Sequence, residues 1–214
     1  MKIKYALMAI AITSFCLSAQ AQIKKGTHLI GGSLGFGTDK FRYEQTPNRP
    51  EVKVNFLTLS PSWGIAIEDN LILGADVTFG QVSSGSEGNK TKRNTYGGGL
   101  FARKYWNVLP RFYAFGQARA GFYSAEYLPE SELVWRSKQQ AFNLTVIPGI
   151  SYAATKTIQI EASFIPLLNF QYSKGEEFNI ADRKIGETKY LNLNTSLNNV
   201  NNFSIGIRFL LGNK

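Results

Sequence analysis

The stretch from Phe56 to Phe79 constrains this chain more than any other. Leu57, Leu59, Pro61, Trp63 and Ile65 fall on one face at period two, and Phe56, Thr58, Ser60, Ser62 and Gly64 fall on the other. Glu68, Asp69 and Asn70 interrupt the run. Leu71, Leu73, Ala75, Val77 and Phe79 then share a face, opposite Ile72, Gly74, Asp76, Thr78 and Gly80. Alternation on both sides of a short polar turn predicts a β-hairpin. One face is apolar from end to end; the other is small or polar and carries a carboxylate. A half-buried soluble sheet alternates in the same way, so the other strands must decide what the apolar face meets.

The same rhythm predicts strands over about Thr27–Phe36, Thr95–Trp106, Phe112–Tyr123, Gln140–Tyr152, Ile158–Tyr172 and Val200–Leu211, eight in all with the hairpin. The connections alternate in length. Ile67–Asn70, Asn107–Arg111 and Ala153–Thr157 are short, whereas Gly37–Lys53, Gln81–Asn94, Ser124–Lys138 and Ser173–Asn199 are long and polar. That asymmetry belongs to a transmembrane barrel with tight periplasmic turns and longer outer loops. The expected fold is therefore all-β, an eight-stranded antiparallel up-and-down transmembrane barrel. Pro61 and Pro148 sit mid-strand on the apolar face, where each predicts a bulge.

Charge assigns the faces. An arginine facing lipid at the midplane costs about 2–4 kcal/mol, so Arg103 and Arg119 must turn inward. The inward set also holds Asp76, Glu161 and Arg208. Lys104 then faces outward, close enough to a turn to reach the interface. Trp106, Phe112 and Tyr152 lie beside short turns, where an aromatic girdle belongs. Counted from the short turns at ~3.3 Å per residue, Asp76, Arg103 and Glu161 reach similar depth, with Arg208 lower and Arg119 higher. Buried charges need partners. Arg103 is expected to pair with Asp76 or Glu161, Arg119 and Arg208 to contest the remaining carboxylate, and one arginine to use water, tyrosine or backbone oxygen.

The start of the chain bears on compartment. Lys2 and Lys4 precede an apolar run from Ala6 to Leu17, and Ala19-Gln20-Ala21 has the A-x-A cleavage pattern. Residues 1–21 read as a secretory signal peptide and 22–214 as one barrel domain. The single cysteine, Cys16, would leave with the signal. Removing Lys2 and Lys4 from 24 Lys+Arg leaves 22 against 15 Asp+Glu, a net +7. Export and the scattering of these charges argue against nucleic acid as a partner. No segment of 22–214 approaches the ~18 apolar residues a spanning helix needs.

Several local patterns resemble the small outer-membrane β-barrel family of Gram-negative bacteria, the porin-like or outer-membrane-protein β-barrel domain. They are Gly31–Phe36, Ser60–Gly64, Asn70–Gly74, Phe101–Tyr105, Pro148–Tyr152 and Ser204–Phe209. The resemblance covers essentially all of 22–214. It implies an integral outer-membrane protein among outer-membrane lipid and lipopolysaccharide, inserted by the barrel-assembly machinery. That machinery reads a terminal aromatic in this family; here Phe209 is followed by five residues.

Three functions are open at this level. The first is a non-enzymatic barrel with a side-chain-filled lumen and a structural or surface-interaction role, needing no cofactor. The second is an outer-membrane lipid-modifying enzyme, for which the only histidine, His28, lacks a recognisable nucleophile-and-base set. The third is a soluble lipocalin-like binder of lipid or another small ligand, with the apolar face turned inward. Ser83–Asn89 reads as a loop tip, without the helix a phosphate cradle needs. Glu176, Glu177 and Asp182 could attract a divalent cation but read more simply as a solvated loop. No zinc spacing is present.

Overall fold

The computed structural model describes residues 23–41, 52–86, 89–129, 136–164, 166–179, 181, 183–195 and 204–212. Its strands are β1 (His28–Phe41), β2 (Val52–Glu68), β3 (Leu71–Ser86), β4 (Asn89–Leu109), β5 (Phe112–Pro129), β6 (Arg136–Ala153), β7 (Ile158–Ser163), β8 (Leu168–Phe178), β9 (Lys184–Asn194) and β10 (Ser204–Leu211). From β1 to β6 each strand pairs antiparallel with the next. β6 then pairs with β7 near the short turns and with β8 farther up. β10 pairs with β7 and closes onto β1. Among the described residues β9 pairs only with β8. β7 with β8 makes one interrupted stave and β9 with β10 another, so ten elements form an eight-membered ring. Closure leaves no edge around the lower ring; above Leu34, among the described residues, β1 pairs only with β2.

The interruption between β7 and β8 corrects the expectation of one strand over Ile158–Tyr172. Gly149 lies opposite Ser163 and Val146 opposite Leu168. Three steps on β6 thus face five on its partner. Pro166 lacks the N–H that a continuous ladder would use there. Phe164 N–H donates to the Pro148 carbonyl at 2.9 Å and Leu167 N–H to the Val146 carbonyl at 2.8 Å, which bridges the detour. The bulge expected at Pro148 is therefore on the strand facing it. At Pro61 the ladder to β3 skips from Leu59–Phe79 to Ser62–Asp76 without losing register, so no bulge forms. Register shifts occur instead at Ala66/Glu68 and Asn107/Leu109, beside turns.

Much of the expected loop length is wall. β3 and β4 run to Ser86 and from Asn89, so Ser83–Ser86 and Asn89 are sheet; Glu87 and Gly88 lie outside the described residues. The expected loop Ser173–Asn199 contains the end of β8 and all of β9. Above the apolar band the hydrophobic rhythm that marks strands fades, although β9 brings Leu191 and Leu193 back beside Tyr172 and Phe170. The proposed leader, residues 1–21, is outside the described residues.

The apolar faces point out. Leu57, Leu59, Trp63, Leu73, Val77, Phe79, Leu100, Leu144, Ile150, Ile205, Ile207 and Phe209 are all exposed. Trp106, Phe112 and Tyr152 sit at the short-turn border, the rings of Phe112 and Tyr152 4.8 Å apart. A second aromatic row, Phe36, Phe79, Tyr96, Phe122, Phe142 and Tyr172, marks the opposite border. From Phe142 to Tyr152 the ten steps of β6 rise ~33 Å along the strand, close to a 25 Å band once tilted by about 40°. Lys104 leaves the band by bending to the Asp69 carbonyl, 3.2 Å away.

An apolar cluster seals the short-turn end. Leu29, Ile72, Tyr105, Tyr113, Phe115 and Leu210 pack there with Ile23, which precedes the first strand. Ile23 is held by a reciprocal pair: its N–H donates to Asn70 Oδ1 at 3.2 Å, and Asn70 N–H donates to its carbonyl at 2.9 Å. Asn70 occupies the left-handed region at φ 62°, which asparagine tolerates better than most residues.

Above the band, the β8–β9 hairpin carries Lys174, Glu176, Lys184 and Glu187 in a surface network. Lys184 Nζ donates to Glu187 at 2.6 Å, and this bond above all holds the carboxyl down at about 2. A depressed carboxyl stabilises the fold above its ordinary value, and that contribution is lost as pH falls through the folded value. Residue-resolved carboxyl titration by NMR should find Glu187 still ionised at pH 4; a midpoint near the ordinary 4.5 would contradict the network.

Candidate functional site

The inward faces of the staves bring the five luminal charges into two separate groups. In the first, Arg103 on β4 reaches across to Glu161 on β7, Nη1 to Oε2 at 2.5 Å. Arg208 on β10 donates Nε to the same oxygen at 3.0 Å. Tyr105 donates its hydroxyl to Glu161 Oε1 at 2.5 Å. Arg103 spends its remaining donors on Gln117 Oε1, 2.8 Å from Nε, and on Tyr105 OH, 3.1 Å from Nη1. Its guanidinium also lies 4.6 Å from the Phe115 ring centroid. Arg208 turns Nη1 to Ser62 Oγ at 3.0 Å. Every member of this group except Ser62 is buried.

In the second group, Arg119 on β5 grips Asp76 on β3 with two bonds, Nε to Oδ2 at 2.7 Å and Nη2 to Oδ1 at 2.5 Å. Such forked contact with a carboxylate is the strong geometry for arginine. Its Nη1 donates to the Tyr123 hydroxyl. Arg119 reaches Asp76 by lying across Gly99 and Gly121; a Cβ on Gly99 would stand 2.8 Å from the guanidinium carbon.

Arg103 therefore meets Glu161 across the lumen and makes no ion pair with Asp76. The depth count fails on the β3–β4 side: Arg103 stands opposite Ile72, four residues below Asp76, which stands opposite Gly99. Counting from turns ignores the shear that closes a barrel. The sequence pattern puts Gln117 and Ser62 on inward faces but gives Tyr105, Gln117, Ser62 and Tyr123 no part in the charge network. Their signal was parity: Tyr105 is two residues from Arg103 and Tyr123 four from Arg119, on the same inward faces.

Between the two groups lies a cavity of about 240 Å³, with Ser33, Thr58, Ser60, Ser62, Thr78 and Ser204 on its wall. On that wall the Ser60 and Thr78 hydroxyls, on neighbouring strands, are 3.2 Å apart. The larger concavity, about 680 Å³, is on the outer surface, floored by Leu100, Ala102, Ala118 and Ala120. His28 faces outward, its ring 5.9 Å from that of Trp63, away from the luminal acids. Glu176 is engaged by Lys174 and Lys184, and Asp182 lies outside the described residues. Among the described residues no group of three or more His, Cys, Asp or Glu could hold a metal ion.

No family model matches the sequence, and no curated protein matches it. Solved structures do resemble its fold. The outer membrane protein OprG from Pseudomonas aeruginosa matches with a TM-score of 0.52 at 13% identity, covering 90% of this chain and 99% of that one. Neisserial surface protein A matches with a TM-score of 0.46 at 15% identity over 86% and 97%. The ring of staves, the outward apolar belt and the OprG match define the class: this is the fold of a small outer-membrane β-barrel.

Removing one charge from each group separates their weights. Glu161→Gln strands two buried arginines and should cost about 3–5 kcal/mol. Asp76→Asn strands one arginine that keeps Tyr123, so its cost should be smaller. Urea unfolding from lipid vesicles measures both; equal losses would show that the two groups do not differ as drawn.

Proposed function

We propose that the chain is a non-enzymatic integral outer-membrane barrel whose lumen is closed by its own side chains. The observation that carries this reading is Glu161, buried and shared by Arg103, Arg208 and Tyr105 at mid-barrel, with the Ile23–Leu29–Ile72–Leu210 cluster below it. Ions crossing would have to break that group and then pass an apolar seal. The role is structural or surface interaction, performed at the long-loop end among outer-membrane lipid and lipopolysaccharide, after insertion by the barrel-assembly machinery. The outward apolar faces remove the basis for a lipocalin-like interior, which needs those faces around a ligand. His28 at the outer border, beside Trp63, favours an interfacial residue over a lipid-modifying centre.

Reconstitution in a planar bilayer tests the closed lumen. The expected result is no stable single-channel conductance from the wild type. A large, long-lived conductance would overturn it, and release of the protein from cells without detergent would overturn the membrane reading altogether.

A further inference from the structure

We infer that the luminal cavity above Arg208 binds one small monovalent anion of halide size; the inference goes beyond the closed-barrel reading and rests on the lumen which that reading describes. A charge count leads to it. In the second group Arg119 and Asp76 match one to one. In the first, Arg103 and Arg208 share the single carboxylate of Glu161, so this buried group carries one positive charge in excess. A buried charge without a counter-charge is costly, and an ion that supplies one offsets the cost. One monovalent anion balances the group; a dianion would reverse its sign.

The donor left over lies on the cavity. Arg208 directs Nε to Glu161 and Nη1 to Ser62, and among the described residues no acceptor reaches its Nη2. Nη2 points up the lumen: a Cβ built on Gly206, two residues higher on β10, would stand 3.6 Å from it and 3.6 Å from Ser33 Cβ. Arg208, Ser33, Ser60, Ser62 and Ser204 line the same space of about 240 Å³. Ser62 Oγ accepts from Arg208, which leaves its own proton for another acceptor. Ser33 and Ser204 add two further hydroxyls from β1 and β10. Guanidinium and hydroxyl donors from three strands thus converge where the excess charge lies.

The strands explain why the space exists. On the inward face here β1 carries Gly31, Ser33 and Gly35, and β10 carries Ser204 and Gly206, all small. Phe101, Gln117 and Tyr123 on the staves opposite do not fill what these leave. A water takes about 30 Å³ of liquid, so the space admits a halide with several waters.

Carboxylates do not compete for Nη2. Asp76 is the one carboxylate on the wall among the described residues, and Arg119 holds both of its oxygens. Higher inward carboxylates are Asp39 and Glu177. Asp39 is exposed and four residues above Gly35, ~13 Å along the strand. Glu177 stands opposite Ser137, ten residues above Ile147 of the cavity wall, ~33 Å along β6. Residues 165 and 196–203, which adjoin Phe164 and Ser204 in sequence and lie outside the described residues, contain no Asp or Glu. Because the apolar cluster blocks the short-turn end, the anion enters and leaves by the long-loop end and is held without being conducted.

The test reads urea unfolding midpoints of the protein in phosphatidylcholine vesicles. Ionic strength is held constant while chloride replaces lactobionate, a disaccharide-sized monoanion too large for the cavity. Since the ion binds the folded lumen only, the wild-type midpoint should climb with the logarithm of chloride concentration once the site begins to fill. R208Q leaves Arg103 and Glu161 matched one to one and should lose that dependence. K104Q removes the same charge from the outer face and should keep it. S33V/S204V keeps every charge but narrows the cavity and removes two hydroxyls; it should need at least about tenfold more chloride for the same rise. Bromide located by anomalous diffraction from wild-type crystals should give a peak within hydrogen-bond reach of Arg208 Nη2. A wild-type midpoint indifferent to chloride, a full response in R208Q, or equal loss in K104Q would each overturn the site. So would bromide peaks that avoid the cavity. Should R208Q fail to fold, an unchanged chloride response in S33V/S204V would overturn it instead. Chloride current through the wild type in a planar bilayer would bring down the closed lumen alone, because the midpoints and the bromide peak decide the site.

Discussion

The lower lumen depends on one carboxylate. Glu161 has a side chain only 1% exposed, yet it meets Arg103, Arg208 and the Tyr105 hydroxyl. The arrangement follows from the surrounding solvent. Neither arginine can face hydrocarbon without a large penalty, so both turn inward. Inside, each needs an opposite charge and acceptors for its other donors. Asp76 is taken by both arms of Arg119, which leaves Glu161 to serve two cations. Gln117 and Ser62 then supply neutral acceptors. A shift of one residue in β3, β4, β5, β7 or β10 would turn one of these charges to the outer face, so the network and the hydrophobic belt fix the same register.

Room for such side chains comes from glycines on neighbouring staves. An eight-stranded barrel is only wide enough for side chains to fill it. Phe115 occupies the space above Gly149, where a Cβ would come within 2.2 Å of its ring, and Phe101 similarly overhangs Gly74. Large and small residues therefore interlock around the lumen. Arg119 uses the same device over Gly99 to reach a partner two staves away. Gly74, Gly99 and Gly149 are thus spaces matched to particular bulky neighbours, not flexible points.

The staves within the belt were legible in the sequence because lipid on one side and a packed lumen on the other impose strict alternation. Inward placement of Asp76, Arg103, Arg119, Glu161 and Arg208 followed from parity and from the cost of charge in lipid. Their pairing did not follow, because it depends on shear, which no single strand encodes. Pro166 marked the break between β7 and β8, but the apolar residues around it masked the interruption. β9 was missed because both of its faces are largely exposed, and its polar residues resemble a loop. Ile23 was missed because its burial depends on the Asn70 turn, forty-seven residues away in sequence.

Continuation of the staves above the belt changes what the long-loop end presents. Polar β-structure extends to Phe41, Ser86, Pro129 and Phe178, so the surface there begins as sheet. A sheet holds side chains in fixed rows, and charge pattern on it becomes a spatial pattern. On the β8–β9 side lysines and glutamates alternate between neighbouring rows, as Lys174 opposite Lys189 and Glu176 opposite Glu187 show. Exposed ion pairs of this kind contribute at most about 1 kcal/mol each, so their main consequence is neutrality. On the β1–β4 side the charged outward positions among the described residues above the border are Lys40, Lys53, Lys90 and Lys92. Since both sides stand on the same aromatic border, the difference cannot come from depth in the membrane. It comes from which residues the strands place there.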